Sequence, residues 1–209
     1  MWNPWFPNLS RGVSDYDNTH LFNTLGAYNL PVGKGKHFLT DAHGITQAVL
    51  GGWQVSGTWR WSSGLPASVY ETGVWPTNWN NNVWASWNLK TFAIGQTKNA
   101  PGGGPNMFPN PQQGIDSFQY VMPGEIGNRN PLRGDGMFSI DTAVMKRFTM
   151  PYSEKHSLQF RWEVFNLTNT AKFDPYTASL DISIAGTFGK YTDQLTQPRV
   201  MQFGLRYEF

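Results

Sequence analysis

The residues most able to hold a metal are four histidines, His20, His37, His43 and His156. They are far apart and fall on different segments. A transition-metal site needs three or four donors converging on one point, so no metal is expected. Asp15 and Asp17, with Asp135, supply hard oxygens suited to calcium, but the spacing is not that of an EF-hand loop. Ser, His and Asp are all present without a Gly-x-Ser-x-Gly elbow, and no glycine-rich loop leads into Lys-Ser or Lys-Thr. The chain has no cysteine, which removes thiol nucleophiles, thiolate zinc sites and disulfides. Arg133-Gly134-Asp135 spells an adhesion tripeptide by chance. Asn8-Leu9-Ser10 and Asn166-Leu167-Thr168 match the glycosylation acceptor pattern. The expectation is no catalytic residue, no metal and no cofactor, hence not an enzyme. Trp75, Trp79, Trp84 and Trp87 are the candidates for ligand contact, because exposed aromatic rings stack on sugars and apolar ligands. The competing account is a loop that packs its own tryptophans together.

Something must position these side chains, and composition narrows what. Of 209 residues, 14% are charged, well below the usual quarter, while 15% are aromatic, including 10 Trp. Gly (22) and Pro (14) weigh against a helical bundle. No apolar run approaches the ~18 residues of a spanning helix. A turn-rich, all-β chain remains: a sandwich, a propeller or a membrane barrel. No repeat of fixed period appears, which disfavours the propeller. A net charge of +2 without any Lys/Arg run implies no nucleic-acid partner. The first residues, Met1-Trp2-Asn3-Pro4-Trp5-Phe6-Pro7, have neither the basic nor the apolar region of a secretory signal.

Five segments alternate with a period of two, as strands with unlike faces must. The clearest is 53–62, where Trp53, Val55, Gly57, Trp59 and Trp61 oppose Gln54, Ser56, Thr58, Arg60 and Ser62. Segment 201–209 repeats it, with Met201, Phe203, Leu205, Tyr207 and Phe209 on one side. Leu158, Phe160, Trp162 and Val164 follow suit. Segment 138–148 is weaker, since Ala143 and Met145 fall among the polar positions; in 20–30, Leu21 and Leu25 do the same. Strands of ~10 residues suit a tilted membrane crossing. The connections alternate in kind: long at 64–136, short at 149–156, long again at 166–198. The connection 31–51 reads as an inner-side one. The Asn-, Gly- and Pro-rich stretch 64–136 is not expected to build a packed core by itself.

An apolar/polar alternation has two solutions. In a soluble β-sandwich the aromatic face packs on a second sheet, as in an aromatic-rich carbohydrate-binding module. In a membrane barrel that face meets lipid and the polar face lines the lumen. The barrel reading makes Trp53, Trp59, Trp61, Phe160, Trp162, Phe203 and Leu205 lipid-facing or girdle residues. It puts Arg60, Arg161, Glu163, Arg206 and Glu208 on the lumen side, where charge is tolerated. An Arg on the lipid face near the midplane would cost ~2–4 kcal/mol. Open edges in hydrocarbon are costly, so about five to six strands make only an open partial barrel with long irregular outer loops. Residues 1–209 are expected to be the C-terminal part of one barrel domain, with long outer loop 64–136.

Several stretches resemble TonB-dependent outer-membrane receptors of the Oar-like type. They are Arg11-Gly12-Val13-Ser14-Asp15-Tyr16-Asp17 through His20-Leu21-Phe22, with Tyr28-Asn29-Leu30-Pro31, and Gly51-Gly52-Trp53-Gln54-Val55-Ser56-Gly57 with Ser63-Gly64-Leu65-Pro66. Gly127-Asn128-Arg129-Asn130-Pro131-Leu132-Arg133-Gly134, Leu158 to Asn169, and Pro198-Arg199 to Phe209 complete the set. The order is preserved and most of the chain is covered. The resemblance implies a 22-stranded, plugged barrel in the cell outer membrane that takes up ligand with energy from TonB. The segments here match only its last strands, so this portion would not transport alone. Implied partners are membrane lipid, the remaining barrel and plug, the TonB system and the outer-membrane assembly machinery. Tyr207 and the terminal Phe209 resemble the C-terminal signal that this machinery reads. The same likeness puts the long loops outside the cell and the short turn in the periplasm.

Overall fold

Alternation becomes strand in all five segments. The computed structural model describes residues 5–73, 83–88, 100–101, 103–122, 125–150 and 152–209. The long strands are β1 (Leu21–Asn29), β2 (Trp53–Ser62), β3 (Phe138–Met150), β4 (Ser153–Phe165) and β5 (Val200–Glu208). They lie side by side in chain order as one five-stranded sheet. β2 pairs antiparallel with β3, β3 with β4, and β4 with β5. The bonds Leu30 N–H to the Trp53 carbonyl (2.8 Å) and Ser63 N–H to the His20 carbonyl (2.8 Å) bracket the β1–β2 pair. β3 and β4 run to 13 residues each, longer than their alternation suggested. Neighbours that close a tight connection keep pairing to its end, and here Ser153 still faces Met150 after a register shift before Ser157. Pro151, in that connection, lies outside the described residues. β1 and β5 each have a sheet neighbour on one side only, so the described sheet is an open wall.

Register sorts the side chains into two faces. Trp162 stands between Val144 and Phe203, Phe160 between Lys146 and Leu205, and Trp59 opposite Ile140. Aromatic pairs run across this face: Phe22 meets Trp59 edge-on at 4.9 Å, Trp53 meets Phe160 at 6.2 Å, and Trp162 stacks on Phe203 at 6.1 Å. Such pairs are worth ~0.5–1.5 kcal/mol beyond their burial. The face nevertheless stays open, with Phe203 at 71% and Leu205 at 69% exposure. A soluble sandwich would need a second sheet there. The other sheets among the described residues are pairs of two-residue strands.

One cation breaks the aromatic face. Lys146 faces Trp53 across the β2–β3 pair and is buried. Its ammonium donates to the carbonyls of Ala48 (2.6 Å) and Gln47 (3.2 Å), and lies 5.4 Å from the Trp53 ring centroid. Those carbonyls belong to helix α1 (Gly44–Leu50), in the connection between β1 and β2. The last carbonyls of a helix are short of internal partners and carry partial negative charge, so a lysine there is favourable. It supplements the Gly51 N–H (3.1 Å) on Gln47 and serves Ala48 directly. The Trp53 indole N–H adds a bond to the Val49 carbonyl at 2.7 Å.

Residues 1–21, 62–137 and 171–195 form a compact unit, and 22–61, 138–170 and 196–209, essentially the sheet, form another. The first unit shows what stretch 64–136 does not build by itself: a core that it shares with the second long connection. In that core Val69, Ala85, Met107, Phe108, Phe118 and Leu132 pack with Phe173, Leu180, Ile182, Phe188 and Tyr191. Phe108 stacks on Phe188 at 5.2 Å, and Phe173 on Tyr191 at 5.2 Å. Neither long connection holds enough apolar surface alone; together they exclude water from both. The short pairings 66–67 with 132–133, 70–71 with 83–84, and 86–87 with 118–119 satisfy backbone groups around this core.

Candidate functional site

On the sheet, the polar positions form a ladder of charge. Arg60 pairs with Asp141, which also accepts Ser139 Oγ (3.2 Å) and the Asn166 backbone N–H (2.9 Å). Glu163 pairs with Arg161 along its own strand and accepts the Gln202 amide across the β4–β5 pair. Glu208 takes Arg147 at 2.6 Å and Arg206 at 3.4 Å. The five charged residues read from sequence as polar-side thus fall into three separate ion-paired groups: Arg60 with Asp141, Arg161 with Glu163, and Arg206 with Arg147 around Glu208. A concavity of about 400 Å³ opens on this side, lined by Leu25, Ser56, Thr58, Asp141, Arg161 and Glu163 among others. Leu25 and Ala143, misfits of the alternation, border this hollow too.

In the loop unit, two motif segments close on each other. Asp15 pairs with Arg129 (3.2 Å) and accepts the Asn130 side-chain amide (2.6 Å), while Asp17 pairs with Arg133. Asn130 donates also to the Val13 carbonyl (2.8 Å), and its side-chain oxygen accepts from Ser68 Oγ (2.7 Å). The Asn130 amide, with Arg129 beside it, holds the Asp15 carboxyl below the ordinary carboxylate range. Arg133 does the same for Asp17. Gly127 must be a glycine here: its φ is +74°, and a Cβ would sit 1.8 Å from the Trp84 carbonyl oxygen. These bonds use Asp15 and Asp17 individually, each beside an arginine, rather than turning them with Asp135 toward a shared cation. Among the described residues no group of three His, Cys, Asp or Glu side chains could hold a metal.

Beside this junction lies a pocket of about 390 Å³. Tyr16, Tyr70 and Tyr176 edge it, and Asp15, Ser68 and Asn130 supply its polar wall. Tyr16 is 87% exposed and Tyr176 50%. The Tyr176 hydroxyl donates to the Asp15 carbonyl, and burial with the nearby Asp15 charge pushes that phenol's pKa up. Sequence reasoning passed over these tyrosines. Tyr16 sits inside a quoted motif, but Tyr70 and Tyr176 lie in aperiodic loops with no spacing to join them.

The tryptophan candidates separate. Trp84 is buried, with the Arg129 guanidinium 5.7 Å from its ring centroid, and it serves packing. Trp87 is at the surface in the strand pair with Phe118. Trp75 and Trp79 lie outside the described residues. The histidines remain apart: His37 meets Phe38 edge-on, and His156 Nδ1 lies 2.6 Å from the Tyr207 hydroxyl.

An antiparallel meander with a charged concave side and an exposed aromatic side defines a membrane-barrel wall. The chain matches the outer membrane beta barrel domain family over residues 1–202 and belongs to that family. It is an outer-membrane β-barrel protein, associated with membrane lipid. No curated protein and no solved structure matches it.

Proposed function

We propose that this chain is the C-terminal part of the barrel of a TonB-dependent outer-membrane receptor that takes up ligand. The observation that carries the reading is the open five-stranded wall, with charge paired on its concave side and aromatics exposed on the other. On this reading Arg60, Arg161, Glu163, Arg206 and Glu208 face a water-filled or plugged lumen. Trp53, Trp59, Trp61, Phe160, Trp162, Phe203 and Leu205 face acyl chains and the interfacial belts. The loop unit faces the cell exterior and meets ligand first.

The free edges of β1 and β5 are where the remaining strands pair, since a barrel in lipid must close. Tyr207 lies at the end of β5 and Phe209 directly follows that strand, 92% exposed. Such an edge is suited to strand addition by the assembly machinery. Uptake belongs to the whole receptor, with plug and TonB contact, and this portion does not transport alone.

The test is the DNA directly upstream of the coding segment. The expected result is an in-frame continuation encoding further alternating strands and a plug, and uptake by the complete receptor that stops in TonB-deficient cells. Uptake that continues without TonB would sink the proposal.

A further inference from the structure

We infer that the tyrosine-edged pocket of the loop unit is a binding site for a neutral carbohydrate. This deepens the receptor reading, since it names the class of ligand met at the outer face, and rests on it for biological meaning only. A pyranose ring offers a flat C–H surface bordered by hydroxyls, and its binding site needs aromatic faces next to fixed hydrogen-bonding groups. The pocket has both. Tyr16, Tyr70 and Tyr176 edge a space of about 390 Å³, within the range of small-ligand sites. Tyr16 and Tyr70 are 87% and 39% exposed, so their rings are available to a visitor.

Charge decides between a sugar and a cation. Three tyrosines around a carboxylate would suit a quaternary amine. Here, however, the Asp15 carboxylate is already matched by Arg129 (3.2 Å) and the Asn130 amide (2.6 Å). The wall thus presents acceptor lone pairs without net negative charge, which suits hydroxyl donors. The wall is also held in place before any ligand arrives. Asn130 bridges Val13, Asp15 and Ser68, and Tyr176 is tied to the Asp15 carbonyl. Preorganisation of this kind lowers the ordering cost of binding.

The test titrates the full chain, held in detergent micelles, with cellotriose, maltotriose and choline, read by saturation-transfer NMR. The expected result is saturable binding of at least one trisaccharide and none of choline. Tyr16→Ala and Tyr70→Ala should each weaken that binding by about 3- to 10-fold, the usual worth of one aromatic contact. Tyr120→Ala, an exposed tyrosine that does not line the pocket, should leave it unchanged. Tyr16 is so exposed that its removal spares the fold, which keeps the test interpretable if Tyr70→Ala misfolds. Absence of trisaccharide binding, binding indifferent to Tyr16→Ala, or preference for choline would each overturn the inference. Binding in a complete receptor that shows no TonB-dependent uptake would support the pocket and count against the receptor reading, so the two fail separately.

Discussion

At the scale of single residues, the carboxylates of the loop unit respond to acid in opposite directions. Asp15 and Asp17 are held below the ordinary value of 3.8, by Asn130 and by Arg133 respectively, ahead of other causes. A lowered folded-state pKa contributes stability that is present above 3.8 and lost as pH falls through the lowered value. The unit should therefore loosen at strongly acidic pH, and Asp15→Asn should flatten that limb of a proteolysis-versus-pH profile. Glu71 has the opposite sign. It is buried, both its carboxylate oxygens lack hydrogen-bond partners, and burial, then Asp181, raises its pKa from 4.5. Its protonated form suits the fold, so its contribution is present below 4.5 and lost as pH rises through the raised value. Glu71→Gln should raise the unfolding temperature at pH 7 and leave it nearly unchanged at pH 4.

At the scale of elements, strand ends are held by specific side chains. After β4 the chain turns at Asn166 and Asn169, with φ of 51° and 50°. Asparagine tolerates this left-handed region better than most residues. Asn166 donates to the carbonyls of Thr170 (3.1 Å) and Gln197 (2.8 Å) and accepts the Thr170 N–H (3.1 Å). It thereby joins the exit of the loop to its return. Asn166→Ala should cost about 2–3 kcal/mol, combining strain with lost buried hydrogen bonds, measured by urea unfolding in micelles. Lys146 does comparable work for α1. Lys146→Ala takes the ammonium from the Ala48 and Gln47 carbonyls, of which Gln47 keeps the Gly51 N–H, and should cost about 1–3 kcal/mol by the same assay.

At the scale of the whole molecule, solvent is the issue. The sheet exposes an aromatic face and two strand edges. Both are association surfaces in water. The chain should sediment as aggregates in plain buffer and as a discrete species in detergent. A dispersed monomer without surfactant would contradict the membrane reading.

The strands were legible because alternation is a local property: a period of two places every side chain on one face or the other before any partner exists. Segment 53–62 reads directly as β2, and even the misfits Ala143 and Leu25 lie where their positions in the period put them. The loop core was not legible, because Phe108 and Phe188 stack across 80 residues of sequence without any period. For the same reason the tyrosine pocket was missed, and sequence left Trp84 open between ligand contact and packing, where burial favours packing. Charges at Asp15, Asp17, Arg129 and Arg133 were visible as motifs, but which would neutralise which depended on loops closing in space. Sequence alone determined the faces, since pleating dictates them residue by residue. Only tertiary structure decided the site, since long-range closure sets which distant side chains share a wall.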